Sequence, residues 1–123
     1  MVIALNKIQA KVIDSKTSGD ISRIIANANG LIFSIILLES RKIGDIITLA
    51  FKESNILVAR NIQGANNIFV ANVESCEQDS MFLKLKLKSN NLQIEAITNI
   101  DSNFKEGEKV VWHILESEIM IIE

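Results

Sequence analysis

At 123 residues the chain is about the size of one average domain, or of two very small ones. Apolar residues make up 48% of it, enough for a real core and rich for a chain whose surface folding alone can only partly bury, so some apolar surface is expected to face another subunit. With 13 basic and 15 acidic residues the net charge is −2, and no field favours nucleic acid or an anionic membrane.

Met1-Val2-Ile3-Ala4-Leu5 is too short for the apolar region of a signal peptide and has no basic stretch before it. Residues 21–28 lead into Asn29-Gly30, the strongest hairpin signal in the chain. Residues 31–38 are a nearly continuous apolar run, suited to a strand covered on both faces. Ser34 interrupts that run, which is far shorter than the ~20 residues of a membrane helix. Gly44-Asp45 precedes a β-rich segment at 46–51. Polar residues then cluster over 61–67, near the midpoint, and give the one candidate boundary. Cys76 is the lone cysteine, which excludes an intrachain disulfide and reads as a buried structural thiol in a cytoplasmic chain.

In 81–88 one face carries Met81, Leu83, Leu85 and Leu87, while the other carries Lys84, Lys86 and Lys88 after Phe82. That alternation is a half-buried strand with a solvated lysine stripe. Asn90-Asn91 is a turn signal before Leu92, Ile94 and Ala96. Gly107-Glu108 precedes a last β-rich segment at 109–115. No window has a convincing helical period; short helical turns are allowed at 38–42 and 101–105. Proline is absent, so no segment is marked as a rigid linker.

The two halves match each other. An offset of 61 residues sets Ala10-Lys11-Val12 on Ala71-Asn72-Val73, Asn6 on Asn67, Asn29 on Asn90 and Leu31 on Leu92. Two extra residues near 101–105 shift the offset to 63, and Gly44 then meets Gly107 and Glu53-Ser54 meets Glu116-Ser117. The hairpin turns, glycines and Glu-Ser pair all fall in one register. Two units follow, 1–60 and 61–123, each with four or five short strands. So small an antiparallel unit manages its edges best by curling into a barrel.

The sequence resembles the Mop/TOBE family, whose repeats open with Ser-Ala-Arg-Asn-Gln-Leu-x-Gly-x-Val and close with Gly-Asp/Glu-x-Val and Lys-Ser/Ala-Thr/Ser-x-Val-Met/Leu. The first copy offers Ile3-Ala4-Leu5-Asn6-Lys7-Ile8-Gln9-Ala10-Lys11-Val12, then Gly44-Asp45-Ile46-Ile47 and Lys52-Glu53-Ser54-Asn55-Ile56-Leu57. The second offers Gly64-Ala65-Asn66-Asn67-Ile68-Phe69-Val70-Ala71-Asn72-Val73, then Gly107-Glu108-Lys109-Val110 and Glu116-Ser117-Glu118-Ile119-Met120. The resemblance implies an all-β fold of two tandem OB-like barrels. It also implies a molbindin-like homo-oligomer, a trimer, that holds molybdate or tungstate at interfaces between repeats, with no organic cofactor and no enzymatic activity. Neither a helix-turn-helix pattern nor a phosphate-binding G-x-x-x-x-G-K-[ST] loop accompanies the repeats.

On that resemblance the oxyanion-binding residues are Lys52, Ser54, Ser117, Asn6, Asn67 and Lys7. A tetrahedral dianion must be desolvated and re-hydrogen-bonded by N–H groups, hydroxyls and amides, with a positive charge to offset its burial. The chain departs from the family at the arginine, which is Leu5 and Asn66 here, at the opening serine, Ile3 and Gly64, and at the closing lysine, kept as Lys52 but Leu115 in the second copy. Ala59-Arg60-Asn61 spells the family tripeptide six residues early. These departures favour the alternative of an OB-like regulatory or protein-interaction module without its ligand.

Arg23, aligned with Lys84, is expected on a wet strand face. His113 has no second histidine or cysteine pair to make a zinc set and no nucleophile to serve, so it reads as structural. Trp112 and the five phenylalanines read as core or interface. Single-stranded nucleic-acid binding would need a basic groove with stacking aromatics, which an acidic chain with no tyrosine does not supply.

Overall fold

The computed structural model describes residues 3–122; Met1 and Val2 of the amino-terminal reading, and Glu123, lie outside the described residues. The fold is all-β, two curled five-stranded sheets forming OB-like units, with no α-helix among the described residues. The strands are β1 (Leu5–Ser18), β2 (Ile21–Ala28), β3 (Leu31–Leu37), β4 (Ile46–Lys52), β5 (Leu57–Ala59), β6 (Ile68–Asp79), β7 (Phe82–Ser89), β8 (Leu92–Asn99), β9 (Lys109–His113) and β10 (Met120–Ile122).

The first sheet runs β10-β4-β1-β2-β3 and the second β5-β9-β6-β7-β8. The two orders correspond strand for strand, and each ends on a short strand donated by the other half of the chain. The repeat in sequence breaks near residue 60, but the pairing crosses that break: β5 joins β9 and β10 joins β4. Neither half therefore completes a sheet from its own residues.

Register repeats as closely as order. β1 and β2 slip between Val12 and Asp14, and β6 and β7 slip between Val73 and Ser75, 61 positions on. Each slip is a bulge that bends the long strand and carries it around its unit. Val12 N–H donates to Asp45 O at 2.9 Å and Gly44 N–H to Val12 O at 2.8 Å; Val73, Glu108 and Gly107 repeat the pair at the same distances. The hairpins turn at Asn29-Gly30 and Asn90-Asn91, and both asparagines of the second turn take the left-handed conformation that asparagine tolerates.

Apolar alternation buries one face of each sheet in a single core shared by both units. At its centre Phe33 and Phe51 of the first unit meet Phe69 and Trp112 of the second, with ring centroids 4.6 Å apart for Phe33–Phe69 and 4.8 Å for Phe69–Trp112. Trp112 is fully buried and its indole N–H donates to the Ser89 hydroxyl at 3.0 Å, so its one polar atom is satisfied. β3 buries Leu31, Phe33 and Ile35 on its core face, but on the other face only Ser34 is buried and Ile32 is exposed, so its apolar run is covered on both faces only at the middle.

Local differences from the sequence reading have simple causes. Met81 lies in the turn before β7 and is exposed, because the hairpin from β6 closes over Ser80, which has positive φ. Residues 38–42 form no helical turn, whereas Ile100–Ser102 is a 3₁₀ turn in which Asn99 Oδ1 accepts the Asp101 N–H at 2.9 Å. The two extra residues of the second half fall beside that turn.

Candidate functional site

The site follows from how opening and closing segments pair. β1 runs antiparallel to β4 with Leu5 opposite Lys52 and Lys7 opposite Ala50. Lys7 and Lys52 are therefore diagonal neighbours on the outward face, about 7–8 Å apart at the backbone. Leu5, Lys7, Gln9 and Lys11 of β1 and Ile46, Thr48, Ala50 and Lys52 of β4 share that face. It carries three lysines and no carboxylate, and Lys7, Lys11 and Lys52 are all exposed.

β4 runs out at Lys52 into a 3₁₀ turn, Glu53–Asn55, which holds Ser54 at the surface. The second copy has the equivalent turn, Glu116–Glu118, with Ser117 exposed. The two turns touch: Asn55 Nδ2 donates to Glu118 Oε2 at 3.0 Å. Lys52 and Ser54 adjoin the first closing turn and Lys7 lies diagonally across from Lys52, whereas Ser117 lines a cleft with Ile36, Leu37 and Glu39 at the end of β3.

Asn6 and Asn67 are placed differently. Both are buried, and each uses its amide on the backbone of the other unit. Asn6 Nδ2 donates to Glu95 O at 2.9 Å while its Oδ1 accepts the Glu95 N–H at 2.8 Å. Asn67 makes the same pair with Ser34, at 2.8 and 2.7 Å, and Nδ2 also donates to Ile114 O at 3.1 Å. Ser34 and Glu95 lie on β3 and β8, the free edges of the two sheets. The asparagines act as one-residue strands that cap those edges. Their polar atoms hold the units together and do not face the lysine surface.

The closing turns also carry two carboxylates that the sequence reading used only to set the repeat register. Glu53 is 2% exposed; its Oε1 accepts the Ala4 N–H at 2.8 Å and lies 3.9 Å from Lys84 Nζ. Glu116, half-buried, accepts from Arg23 Nε at 3.0 Å and from the Ser34 hydroxyl, and lines a cleft with Asn66. Burial pushes the Glu116 carboxyl up, but the Ser34 hydroxyl, Asn66 and Arg23 outweigh it and hold the group below the ordinary carboxylate range. Arg23 is exposed as expected of a wet face, yet it is spent on Glu116. The signal was present in the sequence: two Glu-Ser pairs and two cations, Arg23 and Lys84, fall in the same repeat register.

On the second unit the outward face of β5, β9 and β6 bears Leu57, Ala59, Val111, Ile68 and Val70, with Leu57 and Val70 more than half exposed. His113 lies between Leu57 and Ile68 there, and its Nδ1 is 2.9 Å from Asn66 O. A carbonyl can only accept, so Nδ1 carries the proton. Cys76 Sγ is 3.4 Å from Phe104 O, and burial, with Glu106 and Glu108 nearby, pushes its thiol above the ordinary value. Arg60 binds Glu108 at 2.7 Å and stacks over Phe104 at 4.6 Å. Among the described residues no three histidine, cysteine or acidic side chains group as metal ligands, and no helix is long and apolar enough to cross a membrane.

No protein-family model matches the sequence, and no curated protein matches it. A solved structure of the cytoplasmic molybdate-binding protein ModG, in a form with molybdate bound, is similar to this chain with a TM-score of 0.87. The match covers 94% of each chain at 13% sequence identity, and the likeness is one of fold.

Proposed function

We propose that the chain is a non-catalytic cytoplasmic carrier of a tetrahedral oxyanion, molybdate or tungstate, for storage, buffering or sensing. The observation that carries this reading is the carboxylate-free face of β1 and β4, where Lys7 and Lys52 are diagonal neighbours and Lys52 leads into the turn bearing Ser54, itself bridged to the turn bearing Ser117. Two ammonium groups and two hydroxyls are the donor chemistry a dianion needs. The fold shared with a protein whose structure holds molybdate adds support.

On one chain these donors are exposed, so a dianion there would stay largely hydrated. Burial needs a second copy laid over the face, and the apolar surface of β5, β6 and β9 is a ready counterpart. The assembly expected is a trimer, with oxyanion at the junctions between copies and selectivity over sulfate set by cavity size. Asn6 and Asn67 support the site by fixing the units, and the direct ligands are Lys52, Lys7, Ser54 and Ser117. Because the second copy has Leu115 where the first has Lys52, the first copy supplies the charge.

A second reading is a ligand-free interaction module, favoured by the buried Glu53 carboxylate, which takes the Ala4 N–H that an anion at the opening segment could otherwise use. Calorimetric titration with molybdate, with sulfate as control, on protein of measured mass decides between them. The expected result is binding of molybdate by a trimer and at least a tenfold weaker affinity for Lys52→Ala. Absence of heat with both molybdate and tungstate assigns the chain to the second reading.

A further inference from the structure

The surroundings of Glu116 are those of an anion site. The Arg23 guanidinium approaches it through Nε at 3.0 Å and Nη2 at 3.5 Å, the Ser34 hydroxyl donates to Oε2, and Asn66 lines the cleft beside it. A guanidinium and a hydroxyl converging on one point, with an amide beside them, would suit any small oxyanion. Here the anion is the chain's own. Beside it lies a cleft of about 280 Å³ lined by Gly64, Ala65, Asn66, His113, Leu115 and Glu116.

The repeat supplies an internal comparison. Glu53 is the counterpart of Glu116, Lys84 of Arg23, and Glu95 of Ser34, so the second pocket has a carboxylate where the first has a hydroxyl. That pocket, about 290 Å³, also carries Glu77 and Lys86 on its wall. After loss of its resident glutamate it would still hold two acids against two lysines, whereas loss of Glu116 would leave its partners Arg23 and Ser34, with Asn66 of the adjoining cleft, and no acid among the three.

We propose that the Arg23–Ser34–Asn66 cluster is an oxyanion-binding site held closed by Glu116, which acts as a tethered carboxylate ligand. The tether also anchors the closing turn, and with it β10, to the first sheet. A dissolved oxyanion must compete with a carboxylate presented at high effective concentration, so the wild-type chain leaves this site to Glu116. The site adjoins Leu115 and Ser117, but its cation is Arg23 and not Lys7 or Lys52, so it does not depend on the lysine face binding anything.

The test uses the full chain with Lys52→Ala in the background, so that binding at the lysine face contributes no heat. Glu116→Ala is titrated with molybdate and with sulfate by calorimetry, and melted with and without each anion. The expected result is one added anion site per chain, a Tm that rises with anion, and at least a tenfold loss of the added affinity when Arg23→Met is introduced. Glu53→Ala, tested alike, should gain at least fivefold weaker binding, because Glu95 stands in place of Ser34. Should Glu116→Ala be unfolded in plain buffer, refolding on addition of sulfate or molybdate supports the proposal and failure to refold overturns it. A folded Glu116→Ala with no added site, or an added site indifferent to Arg23→Met, overturns it too. Lack of binding by the wild-type chain would weigh against the lysine-face reading alone.

Discussion

On the outward face of the first unit, β1 and β4 present Lys7, Lys11 and Lys52; on the equivalent face of the second, β6 and β9 present Ile68, Val70 and Val111 with His113, Asn72 and the single cation Lys109. The backbones correspond strand for strand, down to the bulges at Val12/Asp14 and Val73/Ser75. The inward faces are alike in being apolar and share one core. The repeat has therefore kept what folding requires, the inward pattern, turns and edge caps, while the outward faces differ: one carries three lysines, the other is more apolar with Lys109 at its end. A chain with two unlike outer faces suits head-to-tail contact between copies, in which one face covers the other.

The strongest way to break the comparison is to break the chain. Because β5 and β10 complete each other's sheets, residues 1–60 and 61–123 expressed separately should each fail to fold. Amide dispersion in NMR spectra reads this, and a cooperative melt from either half alone would contradict it. Next come the edge caps. Asn67→Ala strands three backbone-directed bonds and should cost about 3 kcal/mol, against about 2 kcal/mol for Asn6→Ala with its two, both from the penalty of unsatisfied buried polar groups. Denaturant unfolding measures the difference, and a larger loss at Asn6 would reverse the ranking.

Charge at the closing motif is the next lever. Lys52→Ala should weaken molybdate binding about tenfold, or about 1.4 kcal/mol. Leu115→Lys, which gives the second copy the missing cation, should strengthen binding or add a site, and calorimetry reads both variants. The pH dependence then separates Glu116 from its surroundings. Its folded pKa is lowered, so its stabilisation is complete above the unfolded value of about 4.3 and is lost as pH falls through the folded pKa. The Tm advantage of the wild type over Glu116→Gln should be on the order of 1 kcal/mol in equivalent stability at pH 6 and shrink as pH falls below the unfolded value of about 4.3. The smallest effect on the fold is expected at Val70→Lys, within about 0.5 kcal/mol for an exposed position. Light scattering should nevertheless show a lower assembly mass for this variant, since it charges the apolar face.

Sequence alone revealed what local pattern dictates. Asn29-Gly30 and Asn90-Asn91 turn where their chemistry puts them, and the 61- and 63-residue offsets reappear as matched hydrogen bonds at Val12 and Val73. The exchange of β5 and β10 was hidden because a three-residue strand has too few positions to show a period, and nothing local says which sheet it joins. Asn6 and Asn67 were found as a matched pair, but their partners lie 89 and 33 residues away, a separation that spacing cannot reveal. Glu53 and Glu116 were aligned yet passed over, since a glutamate in a turn looks solvated until the cation opposite is known. Met81 followed the alternation of β7 in sequence but fell in the turn, where the hairpin closes.

Crystals grown with molybdate and measured across the molybdenum absorption edge test the lysine face most directly, because anomalous scattering locates the metal without assumption. The account predicts a peak within hydrogen-bond reach of Lys52 Nζ, at a junction where a neighbouring copy covers β1 and β4. Molybdenum absent from that face, or lying where neither Lys52 nor Lys7 can reach it, would contradict it.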